Sequence, residues 1–185
     1  MKIMPTKVFF LDRDGVINEE IGNLSKVQDF KMYSVVPQAI QKIHQAGYLA
    51  IIITNQPMIA KGFMTEQDLE RIHEKLQADL AAHGQKVDAI YYCPHHPKKG
   101  FEGEVPELKI SCRCRKPEIG MIEKAVKDFD INLAASFFIG DTTTDAKTAE
   151  NAGLQFVGVK TGHGCNDGKH PIDKKTQICD DLLGA

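Results

Sequence analysis

The chain has 185 residues, of which 42% are hydrophobic and 26% charged, and its formal net charge is −2. That length suits one ordinary domain over residues 1–185 with a core that needs no disulfide staples. The near-balanced charge offers no electrostatic footprint for nucleic acid or an acidic membrane.

In chain order, the polar segment Met1–Lys7 leads directly to the first apolar run, so no export signal is expected and a cytoplasmic protein is the default. Val8–Leu11 reads as a buried strand. It ends in Asp12-Arg13-Asp14-Gly15, two carboxylates two positions apart and a glycine at which the backbone can turn. Pro37–Ala46 carries Ile40 and Ile43 at helical spacing and stops at Gly47, a residue suited to a helix C-terminus. Tyr48–Thr54 is an isoleucine-rich strand, and its aliphatic run Leu49–Ile53 is too short to span a bilayer. Thr65 and Asp68 form the outline of a capping box, and Leu69, Ile72, Leu76 and Leu80 then mark one face of a long helix ending near Gly84. Ala89–Cys93 is a third strand.

Residues 94–117 hold prolines, basic residues and a cysteine pair, the composition of a loop rather than an element. Ile119, Ile122 and Val126 mark a helix, Ser136–Gly140 a strand, Asp145–Asn151 a helix and Leu154–Val159 a strand. The tail from Thr161 reads as loop, with one short strand around Gln177–Cys179. The histidines at 44, 73 and 83 fall on helices as packed or solvated residues, and His163 falls in a flexible surface loop. Alternating strands and helices predict an α/β, doubly wound, Rossmann-like parallel sheet. Asp12, Thr54, Cys93 and Asp141 each come just past the carboxyl end of a strand, the edge at which open sheets of this kind bind ligands.

A lone D-x-D is more often an acidic turn than a site. Here the same edge also gathers Thr54-Asn55, Arg115-Lys116 and Gly140-Asp141, the parts that phosphoryl transfer needs: a nucleophile, carboxylates for a divalent cation, and donors for the phosphate oxygens. The ordered set DRDG, TN, K and GD resembles the haloacid dehalogenase (HAD) superfamily of aspartyl-phosphate phosphatases. FFLDRDGVIN, IIITNQ, YYCPHHP and CRCRKP together resemble its heptose bisphosphate and histidinol phosphatase branch, from about Val8 to Gly162. The resemblance implies a HAD-like fold without a large cap domain. It implies Asp12 as nucleophile and magnesium ligand, and Asp14 as acid–base residue binding the metal through its carbonyl. Thr54 and Lys116 would steady the phosphoryl group, Asp141 would complete the magnesium site, and Asn55 and Arg115 would contact substrate. A like-charged neighbour and a dianionic substrate are expected to raise the pKa of Asp14. The chain departs from the family pattern at Thr142, where relatives often carry lysine, and at Pro57-Met58, where a small pair is usual.

Among the five cysteines, Cys93-Pro94-His95 and Cys112-Arg113-Cys114 form a C-x-H and C-x-C set. Residues two apart on extended backbone point the same way, which selects His95 over His96 as a ligand. Three thiolates and an imidazole suit a closed, tetrahedral zinc site with a structural role, so residues 93–114 are expected to be a zinc-binding loop. Sixteen residues separate His95 from Cys112, a loop length that resembles the heptose enzymes more than the histidinol group. The implied activity is hydrolysis of a small phosphorylated sugar by a monomer, with no nucleic acid or membrane partner; a signalling receiver or a catalytically dead sensor is the non-enzyme alternative. The basic loop around Arg113 and Arg115 is expected to hold the second anionic group of a bisphosphate.

Overall fold

The structure, a computed structural model, describes residues 6–185; most of the leading segment read for export signals lies outside the described residues. Six parallel strands form one sheet: β1 (Val8–Leu11), β2 (Leu49–Asn55), β3 (Ala89–Cys93), β4 (Phe137–Gly140), β5 (Gln155–Val159) and β6 (Ile178–Cys179). Four helices connect them: α1 (Val36–Gln45), α2 (Glu66–Ala81), α3 (Gly120–Phe129) and α4 (Thr143–Ala152). The spatial order β3-β2-β1-β4-β5-β6 means that the chain builds outward from β1 and then returns to lay β4 on its other side. The strand order therefore reverses between β1 and β4, and a crevice opens at their carboxyl ends.

Alternation along the central strands fills both faces. Leu11, Ala50 and Ile52 pack with Ile40 and Ile43 of α1 and with Leu69, Ile72, Leu76 and Leu80 of α2. Val8, Phe10, Ile51, Ile53 and Phe138 point the other way, against Met121, Ile122 and Ala125 of α3 and Ala149 of α4. A strand buried on both faces has no polar side to show, and the unbroken isoleucines of β2 reflect this. Among the described residues, no helix is long and apolar enough to cross a membrane.

The expected elements are all present, with shifts at their ends. Thr54 and Cys93 lie within the last residues of β2 and β3 instead of just past them, because both strands keep their ladder to the end, pairing Asn55 with Cys93. His83 lies beyond α2, in the turn that closes it. The loop over 94–117 contains a short 3-10 turn, Pro106–Leu108, where proline's fixed φ suits the first turn. β6 is one residue shorter than expected.

Candidate active site

The crevice between β1 and β4 gathers three buried carboxylates around one buried ammonium. Asp12, the residue after β1, accepts the Arg13 N–H on Oδ1 at 2.7 Å and pairs through the same oxygen with Lys116 Nζ at 2.9 Å. Lys116 Nζ also reaches Asp145 Oδ1, in the first turn of α4, at 2.6 Å. Asp12, Asp141 and Asp145 each offer an oxygen, all within 4.8 Å of one another. Burial raises the pKa of Asp12 well above the usual carboxylate range; Lys116 opposes this, and Asp145 and Asp141 add to it. Burial, followed by the charge of Asp145, lifts Asp141 to about 7. Asp141 Oδ1 is enclosed and has no hydrogen-bond partner. An orphaned carboxylate oxygen in a cluster with excess negative charge fits a small, hard divalent cation such as magnesium.

Two glycines let the backbone close over this cluster. A Cβ on Gly15 (φ +84°) or on Gly162 (φ +61°) would stand 2.2 Å from Asp141 Oδ2. The same Oδ2 accepts the His163 N–H at 2.8 Å, and Thr161 Oγ1 donates to the Gly15 carbonyl at 2.6 Å. His163, expected in a flexible surface loop, is instead tied by its backbone to Asp141 and lines the crevice.

Asp14 also faces the crevice, but its setting reverses the expected pKa shift. Arg13 Nη2 donates to both of its oxygens at 2.7 Å, and Asn18 Nδ2 and Gln56 Nε2 each donate at 2.9 Å. Burial alone would raise the pKa of Asp14, yet the Arg13 charge and these hydrogen bonds outweigh it and hold the carboxyl below its usual range. The sequence argument counted charged neighbours but could not place the guanidinium of the intervening residue against Asp14.

Thr54 is buried, and its Oγ1 accepts from Gln56 Nε2 at 2.9 Å. Asn55 grips the main chain of Lys116: its Oδ1 accepts the Lys116 N–H at 3.0 Å and its Nδ2 donates to the Lys116 carbonyl at 3.2 Å. Together with Arg115 these residues line a cavity of about 650 Å³ that also holds Asp12, Asp14, Lys116 and Asp141. Arg115 Nη1 donates to the His95 carbonyl at 3.1 Å. Arg113, expected to help hold a second anion, points away. It is 80% exposed and pairs with Glu123 on α3 at 2.7 Å.

Behind Arg115, the four expected zinc ligands converge. The sulfurs of Cys93, Cys112 and Cys114 lie 3.1–3.5 Å apart, and His95 Nδ1 stands 3.3 Å from Cys114 Sγ and 3.6 Å from Cys93 Sγ. A tetrahedral zinc with bonds of about 2.3 Å would hold sulfurs about 3.7 Å apart, so the set fits after a small expansion. His96 lies outside it, as the alternation of extended backbone requires.

A family model described as HAD-hydrolase-like matches residues 113–185. The D-glycero-alpha-D-manno-heptose-1,7-bisphosphate 7-phosphatase of Photorhabdus laumondii is 43% identical over 85% of this chain and 84% of its own length. The D-glycero-beta-D-manno-heptose-1,7-bisphosphate 7-phosphatase of Haemophilus ducreyi is 39% identical over 86% of each chain. The chain belongs to this phosphatase family of the HAD superfamily. Its fold agrees: the D,D-heptose 1,7-bisphosphate phosphatase of B. bronchiseptica, solved with magnesium and phosphate, superposes with a TM-score of 0.83 at 32% identity over 97% of this chain and 95% of that one. The family's members are phosphomonoester hydrolases, and this chain is one of them.

Several residues at the site were not singled out from sequence. Asp145 was read only as a helix start, although T-x-x-D over Thr142–Asp145 has the capping-box spacing that marks it. Gln56 and Arg13 carried no signal, because their role is to hold Asp14, a contact that only the folded turn creates.

Proposed function

We propose that the chain hydrolyses the 7-phosphate of D-glycero-D-manno-heptose 1,7-bisphosphate through a phosphate ester on Asp12, supplying dephosphorylated sugar for nucleotide-heptose and surface-glycan synthesis. The observation that carries the reading is the Asp12 carboxylate on the wall of the cavity, paired with Lys116 and grouped with Asp141. The names and coverage of the relatives supply the substrate.

In this reading Asp12 attacks phosphorus in line while Asp14 gives a proton to the departing sugar oxygen. The Thr54 hydroxyl and Lys116 ammonium hold the phosphoryl oxygens, and Asn55 fixes the Lys116 backbone while Arg115 faces the sugar. Water then cleaves the ester, with Asp14 taking its proton. Arg13 keeps Asp14 ionised for this second half. For the first half, a phosphate dianion beside Asp14 raises its proton affinity against Arg13. Asp12, the Asp14 carbonyl and Asp141 would hold magnesium, which when bound neutralises charge on the phosphate oxygens. Cys93, His95, Cys112 and Cys114 would hold a structural zinc that folds residues 93–114 within one HAD-like domain. Thiols gathered for metal suit the reducing cytoplasm, and because every residue of the site comes from one chain, a monomer suffices.

The test is turnover. Asp12→Asn should abolish phosphate release with the fold intact, since an amide cannot attack phosphorus. The wild type should favour heptose 1,7-bisphosphate over histidinol phosphate by at least about tenfold in kcat/KM, about 1.4 kcal/mol. A preference for histidinol phosphate would place the chain in the other arm of the branch.

A further inference from the structure

The zinc-loop side of the cavity carries more positive charge than its neighbours balance. Lys61, in the turn between β2 and α2, lines the cavity with His96 and Arg115. Behind them the Lys109 side chain is fully enclosed and its ammonium makes no hydrogen bond. Its carboxylate partner, Glu104, stands 3.6 Å away through an oxygen that already accepts the N–H groups of Gly100 and Phe101.

One aromatic ring organises these cations. Lys109 Nζ lies 4.6 Å from the centre of the Phe101 ring and Lys61 Nζ 5.1 Å from it, and the His96 ring meets it edge-on at 6.0 Å. The two segments are locked together. Val105 N donates to the Ala60 carbonyl at 3.1 Å, and Gly62 (φ +79°) leaves room for the Gly103 carbonyl where a Cβ would stand 1.9 Å away. Lys61 loses proton affinity through burial and then through the charges of Arg115, Lys109 and Lys98. Enclosing an ammonium without a hydrogen bond is costly, and crowding cations around it adds to the cost. A bound anion would relieve both.

We propose that Lys61 and Arg115, backed by the enclosed Lys109 behind the Phe101 ring, form the subsite for the second, non-reacting phosphate of the substrate. The inference rests on the bisphosphate reading above. Lys61 and Arg115 contact the anion, and Lys109 acts through the field it imposes from beneath. On the opposite rim Lys169 is less available, since it pairs with Asp167 at 3.6 Å and Glu20 lines the same cavity. Binding the remote phosphate orients the reacting one, so the subsite raises kcat/KM.

The experiment compares heptose 1,7-bisphosphate with heptose 7-phosphate, which presents the same reacting group without the remote anion. Wild type should favour the bisphosphate at least about tenfold, and the preference should shrink as salt is raised. Lys61→Ala should cut kcat/KM on the bisphosphate far more than on the monophosphate and erase most of the preference, while Lys61→Arg keeps it. Lys109→Met, tested only if it melts as a folded protein, should shrink the preference while Lys61 remains in place. A wild type that shows no preference overturns both the bisphosphate reading and this subsite. A wild-type preference that survives Lys61→Ala, or that Lys169→Ala removes instead, overturns the subsite alone and leaves the bisphosphate reading standing.

Discussion

Arg13 is a fully buried cation lodged between two active-site carboxylates in sequence, and its side chain touches both Asp14 and the ring of His73. Burial first, and then the Arg13 charge, drives the His73 pKa from 6.5 down to about 3, with Asp14 opposing weakly. The sign of the pH effect follows from proton counts. Between pH 6.5 and about 3 the unfolded chain holds a proton on this histidine that the folded chain does not, so stability falls as the solution is acidified through that window. His73→Gln should flatten the acid side of the stability profile by up to about 1.4 kcal/mol per pH unit, read from urea melts between pH 6.5 and pH 5. The sequence located the chemistry-bearing residues well, because Asp12, Thr54, Lys116 and Asp141 are each announced by the end of an apolar run or by a short motif. It could not give the protonation of Asp14 or the burial of His73. Both depend on where the long Arg13 side chain folds back, and nothing in local sequence fixes that.

At the level of elements, the departure at Thr142 has a local reason. Thr142 is the N-cap of α4: its hydroxyl accepts the Asp145 N–H, and the Asp145 carboxylate accepts the Thr142 N–H at 3.1 Å. That box also fixes Asp145 Oδ1 against Lys116, so one cap serves the helix and the ammonium together. Thr142→Ala should cost about 1 kcal/mol of stability and lower kcat through a looser Lys116, checked by thermal melts beside steady-state kinetics. The zinc loop acts in the same indirect way, since the His95 carbonyl holds the Arg115 guanidinium. Cys112→Ser should lower zinc from about one per chain, measured by elemental analysis, and weaken activity through Arg115 without touching the magnesium ligands. Element types were legible from periodicity, whereas the ends moved by a residue or two. The start of α4 is set by side-chain caps, and the ends of β2 and β3 by their mutual pairing, neither of which periodicity records.

For the whole molecule, the reversal of strand order places the carboxyl ends of β1 and β4 side by side, which brings Asp12 and Asp141 together. Three buried carboxylates facing one ammonium make the apo fold self-repelling there. Magnesium at about 100 times its Kd should therefore raise stability by about 2.7 kcal/mol, a melting shift of roughly 5–10 °C for a chain of this size. Sodium chloride at matched ionic strength should not reproduce it, since a monovalent ion cannot satisfy the same oxygens.

The contact of Thr161 with the Gly15 carbonyl joins residues 146 positions apart in the chain. During synthesis β1 and its two aspartates emerge early, and they wait for nearly the whole protein before Gly162 and His163 arrive to cover Asp141. A nascent or truncated chain ending at Lys160 can form β1 to β5, yet it leaves Asp141 open to water on the side that His163 would close. The turn over residues 161–163 thus works as a completion checkpoint: an interrupted translation product should be a folded but idle protein, unable to cleave phosphate esters while the polypeptide is still being made.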